Sequence, residues 1–107
     1  MKYIKLNYKP LSVNECWQGK RFKTPKYKKY ERDLLFMLPT LKIENTIIKI
    51  DIQLGVSSKN ADIDNPIKPL LDILQKKYGF NDRNIYELRV TKEDVKKGNE
   101  FICITLR

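Results

Sequence analysis

Apolar and polar residues alternate along the first residues of this 107-residue chain, then recur at helical spacing, then alternate again. In segment 2–8, KYIKLNY, Ile4, Leu6 and Tyr8 fall on one side of an extended backbone, which predicts a strand. Residues 9–23 follow neither period and read as a loop. Thr24 before Pro25 has the form of a helix start, a hydroxyl cap followed by proline at the first helical position. Tyr27, Tyr30, Leu34 and Met37 then recur at helical spacing until Pro39. Segment 46–54, TIIKIDIQL, is β-branched and alternates Ile48, Ile50, Ile52 and Leu54 with Lys49, Asp51 and Gln53, which predicts a second strand. A second helix is predicted over 66–78, with Ile67, Leu70, Leu71, Leu74 and Tyr78 on one face and Gly79 as the residue that ends it. Segments 85–92 and 100–106 read as two strands of a hairpin turning at KKGN. The order β-α-β-α-β-β predicts an α+β fold, a small mixed β-sheet covered by two helices, in a single domain over 1–107.

Composition narrows the chemistry. The chain has no histidine, which removes Ser–His and Cys–His nucleophile pairs and His-ligated zinc. Its two cysteines, Cys16 and Cys103, suit neither a disulfide framework nor a four-ligand zinc site and read as free thiols. No apolar run is long enough to cross a bilayer, and the start lacks the apolar core of a signal peptide. These features predict an intracellular, cytoplasmic protein with no membrane partner.

The formal net charge of +9 is unevenly spread: residues 1–42 carry 11 basic side chains against 3 acidic ones. The densest stretch is GKRFKTPKYKKYER, 19–32, where cations interleave with Phe22, Tyr27 and Tyr30. That mixture suits a phosphate backbone and makes Lys20, Arg21, Lys23, Lys26, Lys28 and Lys29, with Lys59 further on, the candidate DNA-binding residues. A solvated helix face accounts for the same residues more blandly.

Against this basic background Asp62 and Asp64 stand one residue apart in NADIDNPIKPLLDIL, at the mouth of the second helix. Neighbouring carboxylates repel, and a hard divalent cation relieves the repulsion. Beside a basic surface, a cation held by aspartates implies phosphodiester hydrolysis, with Lys68 one helical turn from Asp64 to neutralise oxygen charge. Taken alone, either aspartate also fits a helix cap, Lys68–Asp72 a surface ion pair worth about 0–1 kcal/mol, and Asp82 a turn residue. An EF-hand calcium loop is excluded because Ile67 occupies the position that requires glycine.

The block DIDNPIKPLLDILQKKYGFNDRNI, 62–85, resembles the RusA family of Holliday junction resolvases. It has the Asp-x-Asp-Asn start, a lysine four residues after the second aspartate, a Leu-Asp-x-Leu core, a helix-ending glycine and a later aspartate. The N-terminal KPLSVNECWQGKRFKTPKYKKYERDLL is similar to the family's Pro-x-Ser-x-Asn opening, basic loop and first helix. The resemblance implies a homodimeric endonuclease that uses Mg2+, or Mn2+, to nick opposed strands of four-way junctions, encoded by bacteria, phages or prophages. It makes Asp62, Asp64 and Asp82 the metal-binding aspartates and Lys68 the essential basic residue. Asp72 matches a further family acid, and Asn65 a loop-shaping residue. Where some members are strongly basic before the first aspartate, this chain has SSKNA with only Lys59. The alternative reading is a non-catalytic nucleic-acid-binding accessory of phage recombination, for which the basic third suffices.

Overall fold

A computed structural model describes residues 2–19, 22–44 and 46–107. It is an α+β domain built from β1 (Lys2–Leu6), β2 (Trp17–Gln18), β3 (Phe22–Lys23), α1 (Pro25–Met37), β4 (Ile48–Val56), α2 (Ile67–Tyr78), β5 (Ile85–Asp94) and β6 (Phe101–Leu106). Short 3-10 turns at Val13–Glu15 and Asp82–Asn84 precede β2 and β5. The six main elements keep the predicted order. The region read as a loop also holds the small β2–β3 ribbon, reversed at Gly19 with φ 68°.

The main sheet runs β1-β6-β4-β5 and is mixed: β4 is antiparallel to β6 and parallel to β5. This corrects the expected hairpin, since β5 and β6 are not partners; β4 lies between them. The turn at KKGN does form, with the Asn99 N–H donating to the Lys96 carbonyl at 2.9 Å. Just before this turn the chain passes the end of β4, where the Val95 N–H donates to the Val56 carbonyl at 2.8 Å. The reason lies in apolar content. β4 buries Ile48, Ile50, Ile52, Leu54 and Val56, whereas β5 is largely exposed and charged. A strand with the larger apolar row gains most from neighbours on both sides, and a charged strand tolerates an edge.

Burial is one-sided. Along β4 the row Lys49, Asp51 and Gln53 is not buried, so both helices cover the opposite face. α1 contributes Tyr27, Tyr30 and Leu34 to the core, and Leu38 follows at its end. Met37, expected on that stripe, is 39% exposed. α2 contributes Leu70, Ile73 and Leu74, while Ile67, Leu71 and Tyr78 are only partly buried against the core. Cys16 and Cys103 are free and buried, and burial pushes the Cys16 thiol up to about 11. Among the described residues no helix is long and apolar enough to cross a membrane.

Candidate active site

The aspartate loop, 57–66, leaves the end of β4 and enters α2. Its local order comes from small polar groups. The Asn60 N–H donates to Ser58 Oγ at 3.3 Å, and the Ala61 N–H to the Ser58 carbonyl at 3.2 Å. Two distant elements brace it. The Val13 N–H donates to the Asn65 carbonyl at 2.8 Å, and Lys92 Nζ on β5 donates to the Ala61 carbonyl at 2.8 Å. The Ser12–Asn14 segment therefore serves as a bracket for the aspartate loop. Ser12 organises that bracket by accepting from the Asn14 N–H at 3.2 Å.

At the start of α2 neither Asp62 nor Asp64 acts as the helix cap that either could have been. Pro66 occupies the cap position and no side chain caps the helix. Asn65 instead turns back, its Nδ2 donating to Asp62 Oδ2 at 3.2 Å. The Ile67 N–H donates to the Asp64 carbonyl at 3.1 Å, and Pro69, the third helical residue, has no N–H for a cap to receive. Pro69 also sits in the first turn, where no intrahelical partner is required of its nitrogen. At the other end Gly79 adopts φ 73° and donates its N–H to the Gln75 carbonyl at 2.8 Å, a left-handed C-terminal cap.

That cap reverses the chain at once and sends Asp82 back along the helix. The Asp82 N–H donates to Gln75 Oε1 at 2.9 Å, and Asn81 caps the following turn through the Arg83 N–H. Asp82 Oδ2 stands 3.8 Å from Lys68 Nζ, which also pairs with Asp72 Oδ1 at 3.1 Å. Lys68 thus lies between two acids that are ten residues apart in sequence. Asp64 and Lys68 share the wall of a cleft of about 340 Å3 floored by Ile67, Leu71, Leu88 and Val90. Asp62, Asp64 and Asp82 are all exposed. Among the described residues no group of three or more carboxylate, cysteine or histidine side chains stands in cation-holding geometry.

The basic segment is more engaged than its sequence implied. Lys20 and Arg21 lie outside the described residues. Lys23 Nζ pairs with Glu31 at 2.9 Å and lies over the Tyr27 ring; Lys26 pairs with Glu15 at 3.3 Å and Lys29 with Asp33 at 2.7 Å. Lys28 and Lys59 are exposed. Thr24 caps α1 by accepting from the Tyr27 N–H at 3.1 Å, and its own hydroxyl donates to the Glu15 carbonyl at 2.6 Å. The start of α1 is thereby tied to the Val13–Glu15 turn, which in turn holds the aspartate loop. Sequence reasoning missed Val13, Gln75 and Lys92 as supports, because their contacts to this region run through backbone atoms or across distant elements.

Among the described residues of this region, Glu31 is the one acid held by two lysines, Lys23 and Lys76 at 3.2 Å. Burial opposes its ionisation, yet the two lysine hydrogen bonds outweigh burial and keep its carboxyl below the usual range. A lowered folded value means that the stabilisation is present above the unfolded value near 4.5 and is lost as pH falls through the folded one. Glu31→Gln is expected to cost about 1 kcal/mol at neutral pH, and the gap to wild type to close in acid. Urea melts of both proteins across that range check this; a pH-independent gap would mean that packing, not charge, is responsible.

In comparisons with known proteins, no family model matches the chain and no curated protein matches it significantly.

Proposed function

We propose that the chain is a RusA-like, structure-selective DNA endonuclease that hydrolyses phosphodiester bonds at branched DNA. The observation that carries this reading is the convergence on Lys68: Asp82 returns past the Gly79 cap to within 3.8 Å of an ammonium that also pairs with Asp72 and shares a cleft with Asp64. Four charged residues of the block 62–85 thus gather along one helix, at the foot of the loop that carries Asp62.

The donors fit a hard cation in kind, since all are carboxylate oxygens exposed to solvent, and Mg2+ uses one or two carboxylates with waters and substrate phosphates completing its shell. Asp62 and Asp64 would hold the ion, with Asp82 joining by exchanging its long, exposed contact to Lys68, a contact of the kind worth about 0–1 kcal/mol. Bound there, Mg2+ or Mn2+ would activate water and neutralise charge on the phosphate. The chain's own part is to position: the Val13 and Lys92 contacts fix the loop, and Lys68 offers positive charge to an oxygen of the phosphate as the bond to water oxygen forms and a P–O bond breaks. Paired nicks on opposed strands need two such sites, which fits a two-fold homodimer.

The test is incubation with a labelled four-way junction with and without Mg2+. Metal-dependent paired nicks support the reading; junction binding with no nicking would leave a nucleic-acid-binding accessory. A second measurement addresses the basic surface. Replacing Lys26, Lys28 and Lys29 together by glutamine should weaken binding to every DNA shape and reduce the log–log salt slope by up to about 0.9 for each phosphate that is no longer neutralised. An unchanged slope would assign Lys26 and Lys29 to their ion pairs with Glu15 and Asp33, and Lys28 to a solvated face.

A further inference from the structure

We infer that β5 is a docking edge for a second copy of this chain: two β5 strands pair antiparallel across a two-fold axis at Leu88 and join the two sheets into one. The pairing supplies the contact for the two-fold homodimer of the nuclease reading, but it stands on the sheet edge and not on that reading. Of the two edges of the main sheet, β1 has five residues and carries Lys2 and Lys5, whereas β5 has ten. Short, lysine-bearing edges resist pairing with another chain, and a long edge offers its free N–H and C=O groups as a template. The one lysine of β5, Lys92, does not guard its edge, because Nζ is turned onto the Ala61 carbonyl at 2.8 Å. Apolar surface follows the same edge. Leu88 is 42% exposed and lies with Val90, Ile63, Ile67 and Leu71 along the cleft between β5 and α2. A bulge leaves Tyr86 without a partner in β4, and its side chain is 71% exposed two residues from Leu88.

Charge selects a second copy as the occupant and fixes the register. Side chains directly opposed in an antiparallel pair lie on one face, and opposite charges stabilise such a pair while like charges destabilise it. Centred on Leu88, the pairing sets Glu87 opposite the partner's Arg89 and Arg89 opposite the partner's Glu87. An axis at Glu87 or at Arg89 would oppose two like charges, and an axis at Val90 would set Glu87 against the partner's Glu93. Arg89 is free to turn outwards, since its side chain is 65% exposed and its contact to Glu87 of its own strand is a long 3.5 Å. Glu87 spends Oε1 on Arg107 at 3.1 Å, while Oε2 is 4.0 Å from Lys49 and open to a further partner. The same register sets the partner's Tyr86 opposite Val90, which lines the cleft shared by Asp64 and Lys68. Each copy thus contributes an aromatic ring to the outer side of the other's site.

Sedimentation of the full chain, without DNA or metal, tests this. Wild type is expected to sediment as a dimer at tens of micromolar. Arg89→Glu sets a carboxylate against the partner's Glu87, and Glu87→Arg sets a guanidinium against the partner's Arg89. Each variant alone should raise the dimer Kd about tenfold or more. An equal mixture of the two should restore the dimer, because the mixed pair opposes unlike charges at both positions. A monomeric wild type, single variants that dimerise as wild type does, or a mixture no tighter than the single variants would overturn the inference. Glu87→Arg also gives up the Arg107 pair, and Leu88→Lys is a variant that leaves that pair in place. Leu88→Lys puts two ammonium groups on the axis and should be monomeric with a melting temperature close to that of wild type. A dimeric Leu88→Lys overturns the inference whatever Glu87→Arg does. Nicking of a branched duplex in the same preparation separates the two readings. Metal-dependent paired nicks from a monomeric wild type overturn the interface alone. A dimer with this charge dependence that does not nick overturns the nuclease reading and keeps the interface.

Discussion

Replacing either Asp62 or Asp64 by asparagine should lower Mg2+-dependent nicking of a four-way junction by about 100-fold or more, while junction affinity stays level or rises. Asparagine keeps the shape and one carbonyl oxygen but removes the full charge that a divalent ion needs. At position 62 the new Oδ1 can still accept from Asn65 Nδ2, so the turn that this contact holds is preserved. Both residues are exposed on a loop braced by other groups, so each variant should fold within roughly 0.5 kcal/mol of wild type. DNA affinity rests on the lysines of the N-terminal third, and removing a negative charge beside DNA weakens repulsion. Nicking rates over a Mg2+ series, anisotropy with junction DNA and thermal melts measure the three quantities separately. Either variant cutting as fast as wild type would remove the aspartate pair from the chemistry.

How much of this is legible in the sequence depends on how local each feature is. Thr24 and Gly79 act through hydrogen bonds to residues three or four positions away, so their roles can be read from spacing. The same holds for the buried row of β4, because alternation records a face directly. The β5–β6 pairing fails as an expectation because strand partners are chosen by competition. The KKGN turn is compatible with a hairpin, but β4 takes the place beside β6 with its larger apolar row. At the end of α1 the stripe drifts, so that Leu38 is buried where the spacing points to Met37.

The candidate site divides in the same way. Lys68 and Asp72 are one helical turn apart and Asp64 borders the same cleft as Lys68, which needs only the end of a loop and one turn, whereas Asp62 lines a separate groove. Asp82 requires the reversal at Gly79, which spacing allows but does not dictate. The Ser12–Asn14 bracket is visible only as part of a resemblance, since its contact to Asn65 is between backbone atoms and leaves no trace in residue type. The basic run shows the opposite error. In the sequence its charges look free, yet Glu15, Glu31 and Asp33 satisfy three of its lysines, and only folding brings Glu15 to Lys26 and Glu31 to Lys23.

Lys68→Ala should slow nicking by more than about tenfold at saturating Mg2+, a loss above roughly 1.4 kcal/mol in the barrier, with little change in folding stability. The two parts of this prediction have separate causes. The Lys68 side chain is 62% exposed, and its partners Asp72 and Asp82 are 38% and 54% exposed. Ion pairs this open contribute about 0–1 kcal/mol, so their loss should move a thermal melt only slightly. Removing the ammonium also frees Asp82 from its one charged neighbour in this contact, which favours cation binding rather than opposing it. The Mg2+ concentration for half-maximal rate should therefore stay level or fall while the maximal rate drops. That split marks a lysine that meets the phosphate and not one that organises the metal. Recovery of the full rate at higher Mg2+ would assign Lys68 to metal binding, and a variant that melts several degrees lower would make it a structural residue.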